Sequence, residues 1–346
     1  MSNASTIRRA RLIAFHLPQF HPTPENDAWW GRGFTEWTNI AKCQPQFPGH
    51  DQPRLPADLG YYDLRVPEVR AKQAALAREH GLEAFCYWHY WFGGRRLLER
   101  PVDEILARGE PDFPFCLAWA NETWSRRWLG EEKDILAKQV YSAGDDRAHA
   151  AWLAKAFADP RYLRVDGHPV FAIYRPGDLP DLKHFAAAVR AACKKRRLPA
   201  PHLIGINSHH HADWRQHGLD ANLDFEPQLG VLPNVLAPGL KVFDYATARQ
   251  LMHGRKRDYP FHPCIFTGWD NTPRRGKNAI VFVDSTPEIF AEGLDEMIRS
   301  VENKPLEQRM VFVNAWNEWA EGNYLEPDQK NGRAYLEAVR RVNCPD

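Results

Sequence analysis

Eight short apolar runs alternate with helix-like or loop stretches from one end of this chain to the other. They are Arg11–His16, Ala84–Trp88, Phe115–Trp119, Val170–Tyr174, Leu203–Asn207, Asn222–Phe225, Pro263–Thr267 and Met310–Ala315. Most are continuously apolar, as expected of parallel strands covered on both faces. Helical spacing appears over Pro67–His80, Asp146–Ala158, Asp181–Arg197, Pro287–Val301 and Arg333–Val342, and more weakly over Ala212–His217 and Tyr245–His253. The alternation predicts an α/β fold, a single (β/α)8 TIM barrel, for which 346 residues is an ordinary size. An open doubly wound sheet is the alternative, but no Gly-rich phosphate loop follows the first run. No polar linker, repeat or low-complexity tract breaks the pattern, so residues 1–346 read as one catalytic barrel domain.

One segment, Leu17–Leu64, fits neither element and reads as a long irregular loop. It holds Trp29, Trp30, Phe34, Trp37, Phe47, Tyr61 and Tyr62, too aromatic for disorder. Following the first strand, it should cover the C-terminal face, where barrel active sites lie. The chain carries 13 Trp in all, and flat apolar-faced ligands such as sugar rings are the ones Trp faces accept best. Core filling explains some of them equally well.

Charge excludes other classes. Lys and Arg number 45 against 44 Asp and Glu, which gives no electrostatic reason to expect nucleic acid or a membrane surface. No apolar run approaches membrane-spanning length. The six Cys have no metal-finger or redox spacing, and Leu12–Phe15 is too short for a signal-peptide core. These features read as a cytoplasmic chain with reduced thiols. No cofactor motif and no metal-ligand spacing is present; His209, His210 and His211 are adjacent, which suits one metal poorly. Oligomeric state is not written in the sequence.

Polar and aromatic side chains gather just after the strands. His16 and Gln19 follow the first; Tyr87, His89 and Tyr90 the second; Trp119, Asn121 and Glu122 the third. Tyr174, Asn207, Glu226 and Trp269 follow the fourth to seventh, and Trp316 and Asn317 the eighth. With Trp30 and Trp37 from the long segment, these are the candidate substrate-binding residues. The sharpest cluster is Glu318 and Glu321, two carboxylates three apart directly after a buried strand. Glycoside chemistry needs one carboxyl to give a proton and another to accept one or attack. Close carboxylates resist ionising together, so one stays protonated near neutrality. The competing explanation is a solvated acidic first turn. Glu122 is the rival catalytic carboxylate, with an ion pair to Arg126 or Arg127 as its ordinary role. Asp224 and Glu226 suit sugar hydroxyls or simple exposure before Pro227.

The stretches HLPQFHPTPENDAWWGRGFTEW, DLGYYDLR, YWHYWFGGRRLLERP, PDFPFCLAWANETWSRRW and NAWNEWAEGNYLEP resemble the WbsX-type proteins of bacterial polysaccharide clusters, which look like relatives of glycoside hydrolase family 99, the endo-α-mannosidases. That resemblance implies a β/α barrel. It also implies that Glu318 draws the proton from the substrate's 2-hydroxyl and that Glu321 is the general acid, then base. A 1,2-anhydro sugar would form and be opened by water with net retention. Ala320 stands where the endomannosidases have His. Three readings follow: a hydrolase or transglycosidase acting on a bacterial polysaccharide or oligosaccharide; a sugar-nucleotide-dependent glycosyltransferase of O-antigen (lipopolysaccharide) or capsule synthesis, as that group is commonly labelled; and a non-catalytic glycan-binding barrel. The chain has no Asp-x-Asp motif and no paired Rossmann-like domains to support the second.

Overall fold

The computed structural model describes residues 8–126, 131–208 and 211–345. All eight apolar runs are strands: β1 (Arg11–His16), β2 (Ala84–Phe92), β3 (Phe115–Trp119), β4 (His168–Ile173), β5 (His202–Asn207), β6 (Ala221–Asp224), β7 (Cys264–Phe266) and β8 (Met310–Asn314). Their spatial order is β6–β5–β4–β3–β2–β1–β8–β7, parallel throughout. The ring closes between β6 and β7 through His262, whose N–H donates to the Asn222 carbonyl at 2.8 Å. The Asp224 N–H donates to the His262 carbonyl at 3.1 Å. The nearly closed eight-stranded sheet with helices around it is a (β/α)8 barrel.

Helices α1 (Pro67–Glu79), α2 (Arg100–Arg108), α3 (Ala143–Ala156), α4 (Leu182–Lys195), α5 (Tyr245–His253), α6 (Pro287–Arg299) and α7 (Ala334–Asn343) form the outer layer. Pro at the first turn of α1, α2 and α6 sits where no intrahelical N–H bond is lost. Helix α2 has no counterpart in the sequence reading, because only Pro101, Val102 and Ile105 of its nine residues are buried. The fifth crossover is just a 3-10 turn, Trp214–His217. It packs so closely that a Cβ on Gly205 of β5 would lie 2.4 Å from the Trp214 ring.

Alternation along the strands sorts side chains into two layers. Phe15 of β1 stacks on Trp88 of β2 at 4.8 Å, meets Phe312 of the adjacent β8 at 5.6 Å and reaches Phe225, just after β6, at 5.1 Å. These rings fill the interior. Their strand neighbours point outward under the helices, as His89 does toward His149 of α3. The Leu17–Leu64 segment is less irregular than expected: Pro24–Trp30 and Glu36–Lys42 are short helices. The first is started by the Thr23 hydroxyl, which accepts the Asn26 N–H at 3.1 Å. Among the described residues no helix is long and apolar enough to cross a membrane.

Candidate active site

A cleft of about 1090 Å³ opens at the C-terminal ends of the strands. Eight of the expected residues line it: Gln19, Trp30, Tyr90, Glu122, Tyr174, Trp269, Glu318 and Glu321. Trp88 and Trp124 add two more rings to its wall. Trp88 belongs to the β2 aromatic cluster but was not among the expected contacts. With a period of two, Trp88 and Tyr90 share the inward face while Tyr87 and His89 share the outward one.

Glu318 and Glu321 reach the cleft from a tight frame. Asn317–Glu318 pairs antiparallel with Asn323–Tyr324, and Trp319–Glu321 is a single 3-10 turn. Side chains three apart eclipse in that geometry, so both carboxylates face the same way. Gly322 ends the turn at φ +60°, and a Cβ there would lie 2.8 Å from the Asp270 Cβ.

Between the two carboxylates lies Arg274, which sequence reasoning did not single out. Its Nη1 donates to Glu321 at 2.5 Å and its Nη2 to Glu318 at 3.3 Å. A third carboxylate, Glu36 from the second short helix, lies 3.2 Å from the same Nη2 and is fully buried. Three carboxylates thus share one guanidinium. Burial and the neighbouring Glu321 push Glu318 up to about 8; burial also raises Glu321, against the pull of Arg274. Arg274 is closer to Glu321, so in the free site the pair's shared proton favours Glu318. The two titrate as a unit. This is not a solvated acidic turn.

The rival carboxylate Glu122 also faces the cleft, but its partner is Arg175, at 2.8 Å, with Asp178 on the other side of that guanidinium at 2.8 Å. Of the partners expected for it, the Arg126 side chain and Arg127 lie outside what the structure describes.

The remaining ten expected contacts do not line the cleft. His16 is buried on Gln73, Phe85 and Tyr87, and burial lowers its imidazole to about 3. Tyr87 packs among Phe85 and Phe115. His89 lies 2.9 Å from His149 and stacks on Trp152; Trp119 packs on Phe185. Trp37 donates its indole N–H to the Tyr62 carbonyl and packs on Trp319, and Trp316 is buried against Phe85. Asn121, Asn207 and Asn317 staple loops together. Asn317 accepts the Leu17 N–H at 2.7 Å and donates to the Leu17 carbonyl at 3.0 Å, fixing the long segment beside Glu318. Asn121 does the same for Arg175, and Asn207 for Ala212 and Trp214. Glu226 is buried rather than exposed, as is Asp224, and both pair with Arg257; burial holds Glu226 up at about 8. Of the three adjacent histidines, His211 lines the cleft, and His209 and His210 lie outside the described residues. Among the described residues no group of three or more His, Cys, Asp or Glu is placed to hold a metal.

Two buried carboxylates brace this floor. Asp270 takes His50 at 2.8 Å, Gln52 at 2.7 Å and Thr272 at 2.5 Å, tying the long segment to the turn that carries Arg274. Glu326 takes Trp319 at 2.6 Å, Gln73 at 2.7 Å and Tyr62 at 2.9 Å, holding the acid turn from behind.

Residues 12–339 match the model of a family described as glycosyltransferase WbsX. Two curated relatives, each an uncharacterized protein WxcX of Xanthomonas campestris pv. campestris (strains B100 and ATCC 33913), are 46% and 45% identical over 97% of this chain. The chain spans about half the length of these relatives. Among solved structures, a GH99 endo-α-mannosidase from Bacteroides thetaiotaomicron, in complex with bis-tris propane, has a TM-score of 0.59 at 14% identity, covering 96% of this chain and 95% of its own. A glycoside hydrolase-like protein has a TM-score of 0.62 at 13% identity, covering 100% and 97%. At such identities the likeness is one of fold, and that fold is the β/α barrel.

Proposed function

This chain belongs to the WbsX family, and from that premise we propose that it is a glycoside hydrolase or transglycosidase acting on a bacterial polysaccharide or oligosaccharide. The observation that carries the reading is the Glu318–Glu321 pair, desolvated, bridged by one guanidinium and open to an aromatic cleft. Two carboxyls sharing a proton can divide acid and base duties in glycosidic cleavage.

In the productive state the pair's single proton sits on Glu321 and Glu318 is ionised, the reverse of the free site; Arg274 stays a cation, donating to both and carrying no proton between them. Glu318 takes the proton of the substrate's 2-hydroxyl as O2 attacks C1, and the bond from C1 to the leaving oxygen breaks. Glu321 gives that oxygen its proton. A 1,2-anhydro sugar results. Glu321 then takes a proton from water, the hydroxide adds to C1, and O2 recovers its proton from Glu318, with net retention. Trp30, Trp88, Tyr90, Trp124, Tyr174 and Trp269 supply faces for sugar rings and exclude water. Six buried, unbridged thiols accord with a reducing, cytoplasmic setting.

Leaving-group dependence tests the roles. Glu321→Gln should cost about 10²–10⁴-fold in kcat for substrates with poor leaving groups and far less for an activated aryl glycoside, which needs little protonation. Equal losses on both would remove Glu321 from the acid role. The family's description favours a second reading, glycosyl transfer from a sugar nucleotide; nucleotide release requiring both donor and acceptor glycan would replace hydrolysis with it.

A further inference from the structure

The cleft changes character away from the acid pair. From Leu229 to Pro238 one loop lines it with Leu229, Val231, Val235, Leu236, Ala237 and Pro238. None has a side-chain hydrogen-bonding group, so a bare sugar would meet no side-chain partner for its hydroxyls along this wall. Leu236, at the rim, is 96% exposed, an apolar side chain without cover in the free protein.

Cations bracket that wall. At its start Gln228 accepts from Arg255 at 3.1 Å, and Arg255 faces the cleft. Arg255 leans on Glu226 and Asp224 at 3.6 and 3.9 Å, carboxylates that Arg257 already pairs. At its end Lys241 lines the cleft, and the Gly239 N–H donates to Asn278 at 3.0 Å, fastening the loop to the turn after Arg275. Arg275 lines the cleft too, one residue on from the guanidinium that bridges the acid pair. Among the described residues neither Lys241 nor Arg275 is in an ion pair. All three carboxylates that line the cleft, Glu122, Glu318 and Glu321, are already engaged by Arg175 or Arg274. One cleft thus joins the acid pair to an aliphatic wall flanked by cations, of which Lys241 donates only to the Gly239 carbonyl and Arg255 makes long contacts to Glu226 and Asp224.

We propose that this half of the cleft is a subsite for a phosphate or diphosphate esterified to a hydrocarbon chain, so that the substrate is a saccharide carried on a lipid phosphate. The inference rests on the carbohydrate reading above and names its substrate class. Lys241, Arg255 and Arg275 meet the phosphate charge, and the 229–238 wall meets the first part of the chain. A nucleoside diphosphate shares the phosphate chemistry, but its base would bring ring hydrogen-bonding groups to a wall whose side chains have none and no aromatic face.

The test is calorimetric titration of the full chain with farnesyl diphosphate below its micellar concentration, beside inorganic pyrophosphate, UDP and a uronate-containing oligosaccharide. Farnesyl diphosphate should bind at least about tenfold more tightly than pyrophosphate, and more tightly than UDP. The double variant Val235→Ser, Leu236→Ser should lose most of that advantage while pyrophosphate binding holds. Lys241→Ala with Arg275→Ala should weaken both diphosphates by about tenfold. Leu236 and Arg275 are exposed and Val235 and Lys241 half-buried, and an unchanged circular dichroism spectrum and urea midpoint would exclude unfolding. UDP or the uronate binding more tightly than farnesyl diphosphate, or an aliphatic variant without effect, would overturn the proposal. The titration reads binding without turnover, so a failed lipid subsite is told apart from a failed hydrolase reading, which is judged by glycan cleavage.

Discussion

At Arg274, three carboxylates meet one guanidinium, and burial together with the like charges around it raises Glu318 and Glu321. Removing a member should move the others. Glu36→Gln takes one negative charge out, so the Glu318–Glu321 pair should ionise more easily; the alkaline limb of kcat should shift to lower pH, and an unmoved limb would show that Glu36 does not couple to the pair. Glu122→Gln should cost less than Glu321→Gln, because Glu122 is held by Arg175 apart from the pair; an equal loss would promote Glu122 to the catalytic pair. Stability carries a second pH signature. Glu226 is raised from an ordinary 4.5 to about 8, so the folded state binds its proton more tightly than the unfolded chain does. That contribution is full below about pH 4.5 and is lost as pH rises through about 8. The urea midpoint should therefore fall across that window, and fall less steeply in Glu226→Gln, which keeps an acceptor for the Gln228 N–H.

At the scale of elements, the strands carry the site, and their two-residue period decides which side chains reach it. Trp30→Ala should raise KM by about 2–10-fold with stability little changed, from the loss of one stacking face. His89→Ala, behind the wall on His149 and Trp152, should instead lower stability and leave KM alone; the opposite pattern would put His89 in the cleft. Gly322→Ala should cost about 1–3 kcal/mol in denaturant unfolding, given its positive φ and the closeness of Asp270. All eight strands were legible because buried parallel strands are continuously apolar. That same uniformity hid the facing. In β2 the inward Trp88 and outward His89 lie in one run of aromatics, with no polar alternation to mark the cleft side. The acid pair was legible because its members are three residues apart. Arg274 and Glu36 were not, since their meeting joins points 238 residues apart in sequence and depends on how two loops fold over the barrel mouth. Glu226 read as a ligand for sugar hydroxyls or as exposed before Pro227; its burial was not legible, because Arg257, 31 residues on, closes over it.

Over the whole molecule, the strand ring closes through His262, and one continuous hydrophobic cluster joins the barrel interior to most of the helix layer. We therefore expect the 346-residue chain to unfold in one cooperative step, with Trp fluorescence and far-UV circular dichroism coincident in urea; separated transitions would divide it into domains. The C-terminal face brings a bridged acid pair, aromatic walls and an aliphatic far end into one cleft, and the central claim is that this cleft breaks glycosidic bonds with Glu318 and Glu321. Proton NMR of the protein with a panel of bacterial polysaccharides and, separately, nucleotide sugars with acceptor glycans tests it most directly, run beside Glu321→Gln. New anomeric signals from a polysaccharide, first in the retained configuration and absent with the variant, are the predicted result. Signals that persist undiminished in Glu321→Gln, or nucleotide released only when donor and acceptor are both present, would contradict it.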